Sequence, residues 1–203
     1  MLSAHVIERE FYDRNTVDVA KDLLGKILVR VIDGKVISGM IVESEAYRSI
    51  DDPASHSYRG KTDRNSVMFG EVGHAYVYFT YGNHYCLNIV AKEGTTPAGA
   101  VLIRAIEPIE GVSYMRRYRK TSDPYGLTNG PGKLTQAFKI TKKQNGVDVT
   151  TKKELYVTDG KHVNESKIVA TSRIGIKLAL DKEWRFLVMN NNFVSRKVKI
   201  QNR

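Results

Sequence analysis

The chain has 203 residues and a formal net charge of +10, with 41% hydrophobic and 27% charged residues. This balance is typical of a folded globular protein and excludes a disordered one. No apolar run approaches the ~20 residues that cross a membrane, and the charged N-terminus predicts no secretory signal. A single cysteine, Cys86, excludes an internal disulfide framework. A basic chain attracts polyanions, so nucleic acid is the first partner to consider.

The first part of the chain is predicted to form a helix followed by a β-hairpin. Asn15 is a helix-start residue, and Gly25 follows the apolar helical pattern as its stop. Residues 26–32 alternate as a strand, Asp33-Gly34 is a tight-turn pair, and a second strand covers residues 35–47.

The middle of the chain is predicted to contain a long loop and a second hairpin. Residues 51–66 are polar, and a loop this long in a compact domain is often functional. Two β-rich runs within 75–90 meet at a turn centred on Gly82-Asn83. Residues 94–99 form a turn, and residues 100–106 are predicted to be a buried strand.

The last part of the chain is predicted to mix short helices and strands. Pro108 suits the first turn of a helix that runs through residues 111–120. Further along we expect a loop over residues 121–132 and a short helix over residues 133–143. A turn with a strand is expected within residues 147–159, and two final strands at residues 174–177 and 185–188. One mixed α/β domain is therefore expected.

The strand IVESEAY carries two carboxylates. Alternation places Glu43, Glu45 and Tyr47 on one face, and the two carboxylates are then roughly 7 Å apart. In a closed pocket, desolvation and the neighbouring charge favour the neutral form of one carboxyl group, which suits general acid–base catalysis. An edge strand with two solvated glutamates is the alternative.

Three polar residues in the long loop could serve a site. His56 could hydrogen-bond a ligand or fix its own loop, and with Asp51 and Asp52 it could in principle ligate a metal. No paired histidines or cysteines accompany them, and Asp52 more simply starts a turn with the proline that follows. We therefore expect no metal.

Asn88 and Arg104 interrupt apolar runs. Because a buried arginine needs a partner, Arg104 is predicted either to form a salt bridge, with Glu43 or Glu107 as candidates, or to end at a ligand pocket.

The second hairpin has an unusual turn, because Tyr81 and Tyr85 flank it. Large flat side chains at a tip of a basic chain indicate stacking on bases or wedging between them. A tip folded back onto its own core is the alternative. Basic residues around the loop, including Lys61 and Arg64, could hold phosphates, and so could the glycine-rich start of a helix at Lys133.

Several segments resemble the alkyladenine (3-methyladenine) DNA glycosylase family, the methylpurine glycosylases that excise alkylated and deaminated purines. In chain order they are LLGKILVR, IVESEAY, ASHS, DRNSVMF, YVYFTYGNHYCLNIV, VLIRAIEP, GPGKL-x-QAF and RIGI…WRF. They span nearly the whole chain, so together they are more specific than any single motif. The resemblance implies an α+β fold: a single domain over residues 1–203 with a curved, mainly antiparallel sheet, short helices and a protruding β-hairpin.

The resemblance also implies roles for individual residues. Glu45 resembles the general base that activates water, and Arg104 a supporting group near that water. Asn88 resembles the residue that screens purines at their 2-position. The walls of the base pocket and the DNA contacts complete the set (Tyr47, His56 and Tyr78 for the pocket; Tyr81 for intercalation; Lys61, Arg64 and Lys133 for the DNA backbone).

The implied activity is that of a monofunctional DNA glycosylase acting on double-stranded DNA. It would evert 3-methyladenine, 7-methylguanine, hypoxanthine or ethenoadenine and hydrolyse the N-glycosidic bond without a cofactor. We expect a monomer with no membrane partner, in the cytoplasm at the nucleoid of a bacterium or in the nucleus of a eukaryote. The chain departs from the family at His84, where an aromatic residue is expected. A non-catalytic binder of lesion or abasic DNA and a nucleosidase acting on free nucleosides are the alternatives.

Overall fold

The computed structural model describes residues 5–80 and 82–197, and within these ranges it contains three α-helices and eight strands. The helices are α1 Thr16–Asp22, α2 Val112–Arg119 and α3 Pro131–Ala137. The strands are β1 Ile27–Ile32, β2 Lys35–Arg48, β3 Ala75–Thr80, β4 His84–Val90, β5 Gly99–Glu110, β6 Leu155–Thr158, β7 Ile168–Thr171 and β8 Arg185–Val188. In these ranges no helix is long and apolar enough to cross a membrane.

The strands form one curled antiparallel sheet with the order β3-β4-β5-β2-β1-β6, which confirms the predicted α+β class. The long strand β2 pairs with β5 over most of its length, while its other edge pairs first with β1 and then with β8. Strand β7 extends the sheet beyond β8. Register shifts between Ile41 and Ser44 mark a β-bulge in β2, and a bulge bends a strand and re-aims its side chains.

One face of the sheet carries the main hydrophobic core. Val77, Leu87, Ile89, Val101 and Ala46 are buried on this face, on neighbouring strands, and belong to one cluster. Helices α1 and α3 pack against it, because each has a buried apolar side. The opposite face is therefore left free to carry polar side chains.

The predicted first helix and hairpin are confirmed. The side chain of Asn15 accepts a hydrogen bond from the backbone of Val17 at 2.9 Å, as a helix N-cap does. The turn between β1 and β2 has positive φ at Asp33 and Gly34, 49° and 73°, as a two-residue hairpin turn requires.

The prediction that Pro108 starts a helix is wrong. Pro108 lies in β5, and helix α2 begins at Val112 after Gly111, whose φ is +74°. The proline sits opposite Gly39 at a register shift. A strand tolerates proline at such an irregularity, because the ladder is already interrupted there and proline has no N–H group to donate.

Two further boundaries differ from the prediction. The helix expected at residues 133–143 is α3, which ends at Ala137, because Lys139 adopts a positive φ of 48°. Residues 174–177 form no strand, and the strand before β8 is instead β7. The backbone N–H of Ile174 bonds a side chain, Glu45 Oε1 at 2.7 Å, rather than a neighbouring strand.

Candidate active site

The sheet register builds a row of side chains on the face opposite the main core. Tyr76, Asn88, Leu102 and Glu45 lie directly opposite one another across β3, β4, β5 and β2. Directly paired residues share a face of a sheet. The row continues to Arg185 of β8, which pairs with Glu45, and then to Thr171 of β7.

A cavity of about 290 Å³ opens over this row. It brings together residues that are far apart in the chain and that the resemblance singled out: Tyr47, His56, Tyr78, Asn88 and Arg104 all line it. Residues with the predicted roles must lie at one cavity, and these residues do. The roles themselves stay predictions.

Glu45 is fully buried and does not itself line the cavity. Its Oε2 accepts hydrogen bonds from Tyr47 Oη at 2.8 Å and Arg104 Nη1 at 3.1 Å, and its Oε1 accepts one from the backbone of Ile174 at 2.7 Å. All three donors line the cavity. An ionised carboxylate only accepts hydrogen bonds, so this set of donors matches the ionised form.

The alternative of two solvated glutamates is wrong, because Glu43 and Glu45 are both 0% exposed. Arg104 lies between them and donates from Nε to Glu43 Oε1 at 3.0 Å. The predicted salt bridge therefore has Glu43 as its partner, while Glu107 accepts a hydrogen bond from Asn191 instead. Burial alone would lower the pKa of Arg104, but the two carboxylates outweigh it and raise that pKa.

Tyrosine rings form much of the cavity wall. Tyr78 stands 5.3 Å from the ring of Tyr76, centroid to centroid. Burial, and then the charge of Glu45, raise the pKa of Tyr47 well above its usual value, so its hydroxyl stays protonated and can donate. Burial likewise raises the pKa of Tyr76 to about 12. The tyrosine part of the wall thus offers uncharged hydroxyl donors and ring faces.

His56 meets the cavity at the edge of these rings. Its Nδ1 lies 3.1 Å from Tyr76 Oη, and its ring packs edge-on against Tyr78 with 4.6 Å between centroids. Burial and the nearby Arg64 charge lower the pKa of His56, so the imidazole is neutral at pH 7. Since the Tyr76 hydroxyl is protonated, it can donate to Nδ1 and leave Nε2–H as a donor.

Several lining residues were missed by the sequence analysis. Tyr76 follows from strand alternation, because it lies two residues before Tyr78 and shares its face. Cys86 follows in the same way from Asn88. The stretch 174–176 also lines the cavity. It belongs to the RIGI segment of the resemblance, but no role was assigned to it, because it reaches the site through contacts with residues distant in sequence.

The residues predicted to contact DNA are exposed. Arg64 donates to the backbone of Phe79 at 3.0 Å, and its guanidinium lies 5.4 Å from the centre of the Tyr78 ring. Lys133 bonds the side chain of Asn129, and Lys61 is exposed in the long loop. Arg64 therefore connects the cavity rim to the outer surface.

The tip of the second hairpin is only partly covered by the structure. Tyr81 lies outside the described residues, so its predicted role is untested. His84 is exposed and faces Gly132, where an added Cβ would come within 2.8 Å of the His84 ring. Tyr85 is half-buried against the core. Helix α3 thus supports this hairpin from one side.

Comparison of the sequence with known proteins points to one class, the DNA glycosylases. Residues 10–192 match the sequence model of a family described as methylpurine-DNA glycosylase (MPG). The chain belongs to this family, as the resemblance predicted. It is therefore a hydrolase of N-glycosyl bonds that acts on DNA in base excision repair.

Similar proteins cover the same length. A protein of Carboxydothermus hydrogenoformans is 50% identical over 192 residues, which are 95% of this chain and 100% of the relative. One of Clostridium acetobutylicum is 48% identical over 200 residues, 92% of this chain and 96% of the relative. A protein of Methanocella arvoryzae is 48% identical over 196 residues, which are 95% of this chain and 96% of the relative. Each is named "Putative 3-methyladenine DNA glycosylase".

Proposed function

We propose that this protein removes damaged purines from double-stranded DNA by a single hydrolytic step, with water activated by Glu45. The substrates are 3-methyladenine and 7-methylguanine, and also hypoxanthine or ethenoadenine. One observation carries the proposal: a fully buried carboxylate whose three hydrogen-bond donors form part of a tyrosine-lined cavity. The protein acts as a monomer, as one domain and without a cofactor.

The cavity suits a single everted base. Its volume of about 290 Å³ is at the lower end of the ~300–1,000 Å³ of small-molecule pockets. Tyr47, Tyr76 and Tyr78 offer ring faces, and electron-rich faces attract a cation. Alkylation at N3 or N7 makes a purine cationic, so such a base gains more from these walls than an undamaged one. His56 and Asn88 supply polar atoms for the edges of the base.

The chemistry follows from the contacts of Glu45. Three of the roughly four acceptor positions of the Glu45 carboxylate are filled by Tyr47, Arg104 and Ile174. A water held between these groups and the everted nucleotide occupies the remaining position and gives one of its protons to the carboxylate. Its oxygen bonds to the sugar C1′ carbon while the N-glycosidic bond breaks, and the electron pair of that bond leaves with the base. The carboxylate charge also stabilises the oxocarbenium-like sugar, as at glycosidic centres generally. Cationic bases leave readily, whereas a neutral base needs a proton or a hydrogen bond.

Eversion precedes this step, because a base inside the duplex is out of reach. It costs a few kcal/mol, and less for a base that is already poorly paired. Tyr81 fills the vacated position, and stacking on an aromatic ring is worth ~1–3 kcal/mol per base. Lys61, Arg64 and Lys133 hold the DNA backbone. Selection therefore begins with the stability of the pair and is completed in the cavity, where Asn88 screens the purine edge.

The substitution Glu45→Gln tests the assignment. We expect the variant to bind a hypoxanthine duplex as the wild type does, and to lose about 10²–10⁴-fold in single-turnover excision, the range of general-base catalysis. Glu107→Gln is the matched control, because it removes a carboxylate of β5 that does not line the cavity. Wild-type turnover by Glu45→Gln would remove Glu45 from this role.

Two further measurements separate the proposal from its alternatives. Free base released from duplex DNA but not from nucleosides excludes a nucleosidase, and bound lesion DNA with no released base would indicate a binding module. Borohydride should trap no covalent adduct on DNA, because water rather than an amine attacks the sugar.

A further inference from the structure

A buried ion pair lies behind the cavity, between the long loop and the segment before β8. Arg173 Nη1 and Nη2 donate to Asp52 Oδ2 and Oδ1, each at 2.6 Å, and both side chains are 0% exposed. Such a two-point contact fixes the orientation of both groups. Neither residue lines the cavity, and neither touches Glu45 through a side-chain hydrogen bond.

Arg173 also holds the end of strand β2. Its Nη1 donates to the backbone carbonyl of Ala46 at 2.8 Å, directly between Glu45 and Tyr47. Its guanidinium lies 4.6 Å from the ring centre of Tyr47 and 5.3 Å from that of Trp184. The Tyr47 ring, whose hydroxyl bonds Glu45, therefore rests on this cation.

The residue after Arg173 completes the link to the carboxylate. Ile174 donates its backbone N–H to Glu45 Oε1 at 2.7 Å. At the other end of the ion pair, Asp52 accepts hydrogen bonds from the backbones of Arg48 and Ala54, which shape the loop leading to His56. One ion pair thus fixes the end of β2 and the start of the long loop against the segment at Arg173, which lies 121 residues beyond Asp52 in the sequence.

We infer that Arg173 is a positioning residue for Glu45 and Tyr47, with Asp52 as its anchor; this rests on the proposed function of Glu45. Stability does not explain the pair, because replacing a buried ion pair with a well-packed neutral one is often neutral or stabilising. A salt bridge does, however, hold planar groups at fixed angles. Small displacements at a reacting centre are costly, since a 1 Å shift can lower a rate by roughly 10²-fold.

The test uses two variants of the full chain, because removing Arg173 alone leaves Asp52 as an unpaired buried charge. Asp52→Asn/Arg173→Gln replaces the pair with a neutral one, and Arg173→Lys keeps the charge but loses the two-point contact. Arg30→Gln is the matched control. It breaks another ion pair of a buried arginine, that with Glu154 at 2.8 Å, on strand β1 and away from the cavity.

We expect single-turnover excision from a hypoxanthine duplex to fall on the order of 100-fold in the double variant. Arg173→Lys should fall between the double variant and the wild type. Binding of an undamaged duplex should not change in either variant. Arg30→Gln should excise at the wild-type rate at a temperature where all variants are folded, as checked by circular dichroism and urea unfolding. A purely structural role of Arg173 would give the same rate as Arg30→Gln.

A folded double variant with wild-type excision would overturn the inference. So would a loss of excision in Arg30→Gln equal to that in the double variant, because stability alone would then explain both. Glu45→Gln, measured in parallel, separates the two proposals. If it loses excision while the double variant keeps it, only the role of Arg173 fails; if Glu45→Gln retains excision, the proposed function of Glu45 fails first.

Discussion

Removing one hydroxyl from the cavity wall gives a sharp test of the contacts around Glu45. Tyr47→Phe keeps the ring that rests on Arg173 and deletes only the donor that bonds Glu45 Oε2 at 2.8 Å. A hydrogen bond to a charged group contributes about 1.5–3 kcal/mol to stability. For a chain of this size, each kcal/mol corresponds to about 2–4 °C, so the melting temperature should fall by about 3–12 °C.

The same deletion should also slow excision. Glu45 keeps its bonds to Arg104 and Ile174, so the carboxylate remains held at two points but loses the third. If the lost hydrogen-bond energy is fully expressed in the transition state, the rate falls by up to about 150-fold. Single-turnover excision and urea unfolding measure the two effects separately.

Tyr12→Phe is the control for the chemical change itself. Tyr12 is fully buried, and within the described residues its hydroxyl has no hydrogen-bond partner. Deleting an unsatisfied buried hydroxyl should leave stability unchanged or raise it by about 1–3 kcal/mol. If Tyr47→Phe were as stable as Tyr12→Phe, or if both lost stability equally, the inferred hydrogen bond to Glu45 would be refuted.

Three further predictions concern the hairpin tip, His56 and Cys86. Tyr81→Ala should weaken binding to lesion duplex and reduce the fluorescence change of a reporter base on eversion; unchanged values would argue against the wedge. The lowered pKa of His56 in the folded protein means that the unfolded chain binds the proton first, near pH 6.5. The free energy of unfolding should therefore fall as the pH drops below about 7 toward the folded pKa of His56. It should fall less steeply in His56→Gln. Equal dependence of the unfolding free energy on pH in the wild type and in His56→Gln would contradict this prediction. Cys86 is the single cysteine of the chain, and burial raises the pKa of its thiol. Iodoacetamide should therefore label it slowly, faster at higher pH, and more slowly still when lesion duplex fills the cavity; labelling that ignores the duplex would show that the base lies elsewhere.

Features set by local chemistry were predictable from the sequence. The cap at Asn15 and the turn at Asp33-Gly34 depend on neighbouring residues only, and both form as predicted. Alternation also placed Glu43, Glu45 and Tyr47 on one face, since Tyr47 bonds Glu45 and Arg104 reaches both carboxylates. Spacing alone, however, did not distinguish the two carboxylates, and the choice of Glu45 came from the family resemblance.

Features set by distant partners were not predictable. Asp52 and Arg173 are separated by 121 residues, and nothing near either one indicates the other. Residues 174–177 alternate like a strand, but the first of them bonds the side chain of Glu45 instead of a neighbouring strand. Pro108 is a good helix-start residue that the register with Gly39 holds in a strand. In each case tertiary contacts outweigh a local preference.

The partners of the two buried carboxylates show why they are not equivalent. Glu43 Oε1 accepts from Arg104 Nε, from Arg185 Nε at 2.7 Å and from Ser195 Oγ at 2.7 Å. Of these three donors only Arg104 lines the cavity, so Glu43 holds two arginines and the segment around Ser195 in place. Within residues 5–80 and 82–197, in contrast, every hydrogen-bond donor to Glu45 belongs to the cavity wall. A carboxylate can take a proton from a bound water only if it lies next to the site where that water binds, which supports Glu45 as the base and Glu43 as the group that orients Arg104.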